Sequence, residues 1–270
     1  MGDKETMTLT LACHQLSLSS VKPENLSRIT STINGSPAYL DIFPEYAMGV
    51  PTGGLTRRFV EENAEPLDGN FVGTILDATR QRKSAAVFTA FLKENQGIYN
   101  AAILAEQGKI RSVYKKIHLF DAYGYRESEL FVPGKQLAVQ EVKDFRIGLA
   151  VCFDLRFPEL FRSMAYKGVD LFVVPSGWYK GNHKLEQWRI LVMARAHENT
   201  AYLAAVDQTD PLFVGHTMVA SPLGYAIREI GEEQTSFTVE LDRKDIIEVR
   251  KSVPVLSLSR PELYREFNTI

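Results

Sequence analysis

The sequence lacks several features that would have pointed elsewhere. It has two cysteines, Cys13 and Cys152, far apart and without CxxC or Cys/His spacing, so neither a disulfide framework nor a zinc site is suggested. It has no excess of positive charge: 31 Lys and Arg against 33 Asp and Glu give a net charge of -2, so nothing is left to neutralise a phosphate backbone and no nucleic acid partner is expected. No segment reaches the roughly eighteen uncharged apolar residues of a membrane helix. The opening "MGDKETM" has no apolar run of secretory type, so the expected location is the cytoplasm, with no membrane partner. Met1-Gly2 with Thr6 fits the short myristoylation pattern, which an expression remnant would match equally well. Repeats, low-complexity tracts and linkers are also missing. At 270 residues and 45% hydrophobic content, the chain is expected to form one domain over 1–270 around a large core.

What is present alternates between strand and helix. "MTLTLACHQLSL" (7–18) has strand periodicity, and "KPENLSRITSTIN" has helical spacing at Leu26, Ile29 and Ile33. "AYLDIFPE" predicts a second strand, and the polar segment from Arg57 to Lys83, with Phe59, Phe71, Ile75 and Leu76, a second helix. Asn95-Gln96-Gly97 and Glu106-Gln107-Gly108-Lys109 predict hairpins that interrupt the βα pattern with antiparallel strands. Helices over "PELFRSMAYKG" and "LEQWRILVMARAHEN" flank the uncharged strand "LFVVPS", whose lack of polar alternation suits a strand covered on both faces. The strands "AYLAAVD", "HTMVAS" and "TSFTVELD" follow. The pattern fits a layered α/β sandwich with mixed sheets better than a doubly wound parallel sheet.

Chemistry gathers at three strand ends. Cys152, behind the apolar "LAV", reads at first as a small core residue, since unpaired cysteine is among the most buried types. A strand that ends in Cys-Phe-Asp, followed by a turn and by Pro158 at a helix start, is also the corner that lifts a nucleophile out of a sheet. A free thiol of pKa near 8.5 is only about 3% thiolate at pH 7, so such a cysteine needs a base or a cation beside it. "LDIFPEY" delivers Glu45 and "VYKKIHLF" delivers Lys115 and Lys116 at comparable places. Singly these are solvated turn residues; together they are a base, a cation and a nucleophile.

These segments resemble the nitrilase superfamily of carbon-nitrogen hydrolases over roughly 7–264, through "FPEY", "YKKIHLFD", "YRESELFVPG" and "AVCFDLRFPEL". The resemblance implies a four-layer αββα fold with two mixed sheets, usually paired as a homodimer or a higher homo-oligomer through the helices, and no metal or organic cofactor. It implies Glu45 as general base, Lys116 as the triad lysine and Cys152 as nucleophile, with Glu127 as a second pocket glutamate that Glu129 can be confused with. His197 and His216 are expected to be satisfied structural histidines, and His118 to brace the lysine loop.

The reaction implied is amide hydrolysis through a thioester, with the oxyanion met by Lys116 and the Phe153 N–H. True nitrilases of the superfamily tend to carry Trp-Glu after the nucleophile, where this chain has Phe153-Asp154. The segment is most similar to the omega-amidase and deaminated-glutathione-amidase branch, which cleaves the terminal amide of small carboxylate-bearing substrates such as 2-oxoglutaramate. The expected partner is therefore a small-molecule amide. The alternatives are an N-carbamoyl-amino-acid amidohydrolase, then a general aliphatic amidase, a nitrilase or a non-catalytic scaffold. Arg156 either holds the substrate's far carboxylate or ties down its helix through Glu159 or a backbone carbonyl. Trp178, Tyr179 and His183 are candidates for pocket wall, and equally for surface loop or subunit contact.

Overall fold

The computed structural model describes residues 7–209 and 211–267, and the myristoylation pattern at Gly2 lies outside them. The alternating opening stretch is strand β1 (Thr8–Gln15). Helix α1 (Lys22–Gly35) carries Pro23 in its first turn, where a missing N–H costs nothing, and buries Ile29 and Ile33. The short strand β2 (Leu40–Ile42) follows.

The expected single helix from Arg57 to Lys83 is instead two, α2 (Arg57–Asn63) and α3 (Asn70–Arg82). Pro66 supplies the physical reason, because proline disfavours helical backbone at the residue before it. Glu65 is drawn into an isolated parallel bridge with Leu92, and its carboxylate then caps α3 by accepting from the Phe71 N–H at 2.8 Å. The hairpins form where expected: β3 (Ala85–Glu94), β4 (Gly97–Glu106) and β5 (Lys109–Lys115) run antiparallel. Gln107 and Gly108 both have positive φ, +49° and +82°, as a tight two-residue connection between right-twisted strands requires.

The second half holds β6 (Ala138–Val142), β7 (Phe145–Leu149), α4 (Pro158–Ala165), β8 (Leu171–Ser176), α5 (Lys184–Glu198), β9 (Tyr202–Asp207), β10 (Met218–Ala220) and β11 (Ala226–Glu229). Then come β12 (Thr235–Asp242), α6 (Arg243–Ser252), α7 (Val255–Leu258) and α8 (Pro261–Phe267). One sheet has the order β12-β1-β2-β3-β4-β5 and the other β11-β10-β9-β8-β7-β6. Both are mixed, with β1, β2 and β3 parallel in the first and β7, β8 and β9 parallel in the second.

Strand alternation assigns the layers. Leu9, Leu11, Ile42, Val87 and Leu104 of the first sheet join a core with the second sheet and with α4 and α5. Ala86, Phe88, Ala101 and Ile103 face the other way, into a separate core with Ile29 and Ile33 of α1 and Phe71 and Ile75 of α3. The result is an αββα sandwich of two mixed six-stranded sheets, each with helices on its outer side. Among the described residues no helix is long and apolar enough to cross a membrane.

Candidate active site

Polar residues collect where strands of both sheets end. Past β2 the backbone of Glu45 crosses between the sheets, its N–H donating to Ser176 O at the end of β8 (3.1 Å) and its carbonyl accepting from Gln208 Nε2 (2.8 Å). At the end of β5 Lys115 points outward, where it pairs with Glu94 (2.5 Å), and just past it Lys116 turns inward to full burial. The Lys116 turn is held from both sides, by Lys116 N–H to Asn100 O (2.9 Å) and Gly134 N–H to Lys116 O (2.8 Å). Gly134 has to be glycine, since a Cβ there would sit 2.0 Å from Lys115 O.

Inside, two carboxylates share two donors. The Lys116 ammonium lies 2.9 Å from Glu45 Oε1 and 2.8 Å from Glu127 Oε2, and the Asn100 amide donates to Glu45 Oε1 (2.8 Å) and Glu127 Oε1 (2.9 Å). The remaining Glu45 oxygen accepts from the Gly177 N–H (2.9 Å), and Phe120 N–H donates to Glu127 (2.6 Å). Of the two neighbouring glutamates, Glu127 is buried and meets Lys116, whereas Glu129 is exposed at the rim of the wider vestibule. Burial raises the Glu45 carboxyl above the usual range, and the Lys116 charge pulls it part of the way back. Burial also works against the Lys116 charge, but the carboxylates of Glu127 and Glu45 outweigh it and hold the ammonium firmly protonated.

Cys152 enters from the second sheet. It is 7% exposed and opens a 3₁₀ turn, Cys152–Arg156, three residues past the end of β7, with φ of +46°. A non-glycine residue in this region costs on the order of 1–3 kcal/mol unless its surroundings hold it there. The holder is Asp154, whose Oδ2 accepts from Tyr114 Oη (2.8 Å) and Val151 N–H (2.9 Å) while Oδ1 accepts from the His118 N–H (3.2 Å) and lies 2.7 Å from Nδ1. His118, stacked on Phe157 at 3.6 Å, therefore braces the cysteine turn as well as the lysine loop. Burial, and next the Glu45 charge, push the Cys152 thiol well up, against which the Lys116 charge works. Asp154→Ala is expected to leave the donating O–H of buried Tyr114 and the Val151 N–H without an acceptor, at about 1–3 kcal/mol each. The urea midpoint should fall accordingly, and turnover measured on the folded fraction should drop because the cysteine is no longer held in place.

A narrow cleft lined in part by Phe153, Arg156, Trp178 and Tyr179 opens over Cys152, with a free volume of only about 10 Å³, space for about one water. It adjoins a wider vestibule that shares Tyr46, Phe120 and Tyr179 and reaches Glu127. Arg156 pairs with neither Glu159 nor a backbone carbonyl; it donates from Nη2 to Gln187 Oε1 of α5 (2.7 Å), and its buried Nε has no partner. Trp178 is both wall and core, with its ring 4.8 Å from the Arg156 guanidinium and its indole N–H donating to Lys184 O (2.9 Å).

Of the two places open to His183 the structure gives the surface one: it is exposed at the start of α5, 3.8 Å from Glu186, and lines a different cleft. His197 also departs from expectation, since it lies on an exposed turn of α5 rather than as a satisfied interior histidine. His216 is satisfied, by Glu229 at 2.9 Å.

Sequence reading missed Asn100, Asp154, Gly177, Tyr46 and Lys184. Asn100 left a usable signal, a lone amide in the otherwise apolar "YNAAILA". Tyr46, Gly177 and Lys184 carried none, since their roles arise from tertiary placement.

Comparison with known proteins follows the same lines. A family model described as carbon-nitrogen hydrolase matches residues 10–251. The chain is 29% identical over 201 residues to the deaminated glutathione amidase of Escherichia coli O157:H7, covering 74% of this chain and 77% of that protein. It is 28% identical over 269 residues to the human omega-amidase NIT2, covering 94% and 96%. Among solved structures, a mutant of the amidase from Nesterenkonia sp. AN1, with the acetamide moiety of fluoroacetamide added covalently at its active-site cysteine, superposes with a TM-score of 0.77 at 26% identity, over 98% of both chains.

Proposed function

Because this chain belongs to the carbon-nitrogen hydrolase family of the nitrilase superfamily, and so is a hydrolase of C–N bonds, we propose that it cleaves the terminal amide of a small carboxylate-bearing substrate through a thioester on Cys152. The observation that carries this reading is the meeting of a buried thiol, a carboxylate of raised pKa and an ammonium shared by two carboxylates beside a small cavity.

Glu45 takes the Cys152 proton as Sγ attacks the amide carbon, so thiolate is generated only when substrate is present to receive it. The charge developing on the carbonyl oxygen is met by the Lys116 ammonium and the Phe153 N–H. The C–N bond then breaks, Glu45 returns the proton to the leaving nitrogen, and ammonia departs. Glu45 next deprotonates a water that attacks the thioester carbon; the acid leaves and the proton returns to sulfur. Glu127 keeps Lys116 charged and in place. The cysteine adduct of the Nesterenkonia amidase supports a reactive cysteine here. No cofactor enters the scheme. Self-association through the helical layers belongs to the same reading, supported by the exposed Ile247, Leu258, Tyr264 and Phe267 of α6, α7 and α8.

Similarity to an omega-amidase and to a deaminated glutathione amidase supports an acid-bearing substrate, and Arg156 on the cavity wall supplies a group to hold that acid. Ammonia release from a panel of succinamate, 2-oxoglutaramate, carbamoyl amino acids, neutral amides and nitriles tests the reading. In Arg156→Lys, the ratio of kcat/KM for succinamate to that for butyramide should fall at least about tenfold, since a charge-assisted contact of roughly 1.5–3 kcal/mol is lost. An unchanged ratio would remove the clamp, and a preference for carbamoyl amino acids would move the substrate to the alternative class.

A further inference from the structure

The wall of the Cys152 cavity holds a second cation besides Arg156. Lys184, the first residue of α5, is only 7% exposed, and its ammonium lies 3.7 Å from the centre of the Tyr123 ring and 5.5 Å from those of Phe120 and Trp178. The Arg156 guanidinium shares this aromatic bed, 4.8 Å from Trp178 and 5.9 Å from Tyr123 and Phe153. Among the described residues no carboxylate pairs with either group. The one polar side-chain contact is Arg156 to the neutral Gln187, while the buried Arg156 Nε goes without a partner.

Two like charges kept together against ring faces are each destabilised by the other and by loss of water, and cation–π attraction offsets this only in part. The lowering of the Lys184 pKa, first by burial and then by the Arg156 charge, expresses that cost. Elsewhere in the chain a buried cation is given its anion, as Lys116 is given Glu45 and Glu127 and Arg195 is given Glu198. A pair of cations on the wall beside the thiol, with no carboxylate of the protein to meet them, is suited to bind a small anion.

We propose that Lys184 is a specificity-determining residue that, together with Arg156, receives the carboxylate at the end of the substrate remote from the amide, with its ammonium leaving the Tyr123 ring to do so. This rests on the amidase reading for the identity of the reacting end. The subsite itself is one for a small carboxylate shared between a guanidinium and an ammonium.

The test uses the intact chain with Lys184→Met, which keeps the length of the side chain without its charge, Lys184→Gln as a second neutral variant, and Lys184→Arg, which restores charge. Succinamate and butyramide serve as charged and neutral amides, and calorimetric binding of succinate reads the subsite without catalysis. In both neutral variants the succinamate-to-butyramide ratio of kcat/KM should fall by at least about fivefold, chiefly through KM, and the succinate Kd should rise by a similar factor; each is a loss of about 1 kcal/mol or more of differential binding. Lys184→Arg should recover part of both. A side chain that only tethered the Tyr123 loop would slow both amides together, leaving the ratio and the succinate Kd within that factor, and either neutral variant behaving so overturns the proposal. Should the wild type release no ammonia from either amide, the amidase reading fails while succinate binding still decides Lys184. Should it hydrolyse butyramide as well as succinamate and fail to bind succinate, the subsite fails and the amidase reading stands.

Discussion

Cys152→Ala is expected to release no ammonia from any amide the wild type hydrolyses, in a protein as well folded as its parent. The change removes a single sulfur at a cavity rim and leaves the Asp154 network untouched, so its cost is on the order of 1 kcal/mol, small beside the loss of large core groups. Cys152→Ser should be nearly as inactive, because the hydroxyl is far less acidic than the thiol and Glu45, even with a raised pKa, is too weak a base to activate it. Ammonia assays beside urea midpoints check both. Appreciable residual turnover in Cys152→Ala would end the case for a covalent thioester. Alkylation gives an independent reading: iodoacetamide should label Cys152, at the cavity, well before Cys13, which has no exposure at all on the inner face of β1. Equal labelling would favour a non-catalytic chain.

Lys116→Arg should be almost as damaging, whereas Lys115→Arg should leave turnover close to wild type. The Lys116 ammonium fits between two carboxylates at 2.9 and 2.8 Å with no exposed surface, and a planar guanidinium cannot take the same place without separating Glu45 from Glu127. Loss of one donor to a developing oxyanion typically costs about a hundredfold or more in rate. Lys115 makes a partly exposed pair with Glu94 and lies 4.1 Å from the Tyr99 ring, contacts that arginine can also make. Comparison of kcat for the two variants is the measurement. A larger loss from Lys115→Arg would move the essential lysine by one residue.

The alternation of apolar residues in "MTLTLACHQ" and the Gly-containing hairpin connections made the first sheet legible, because strand period and turn chemistry are local properties. The split between α2 and α3 has a local cause too, Pro66, which apolar spacing from Phe59 to Leu76 conceals. The strand ends bearing Glu45, Lys116 and Cys152 could be picked out as places where apolar runs stop abruptly at reactive side chains. What holds those residues was not legible. Asn100 is one amide in a strand, and its importance depends on two carboxylates 55 and 27 residues away reaching it. Lys184 reads in sequence as a solvated helix start, and only the fold surrounds it with Tyr123, Phe120 and Trp178. His183, beside it in sequence, shows how a one-residue difference at a helix start separates a cavity wall from open solvent.

The positive φ of Cys152 has a bearing on how such a chain changes over time. Glycine is the residue that backbone at φ +46° accepts most readily, so at position 152 the fold and the proposed thioester chemistry favour different amino acids. Under neutral drift, or in a laboratory screen that rewards only heat resistance, the cysteine corner is one of the places where the chain gains by substitution. A lineage relieved of its chemistry would therefore lose the thiol early while keeping Asp154, Tyr114 and the sandwich around them, leaving an inert fold with the shape of an enzyme.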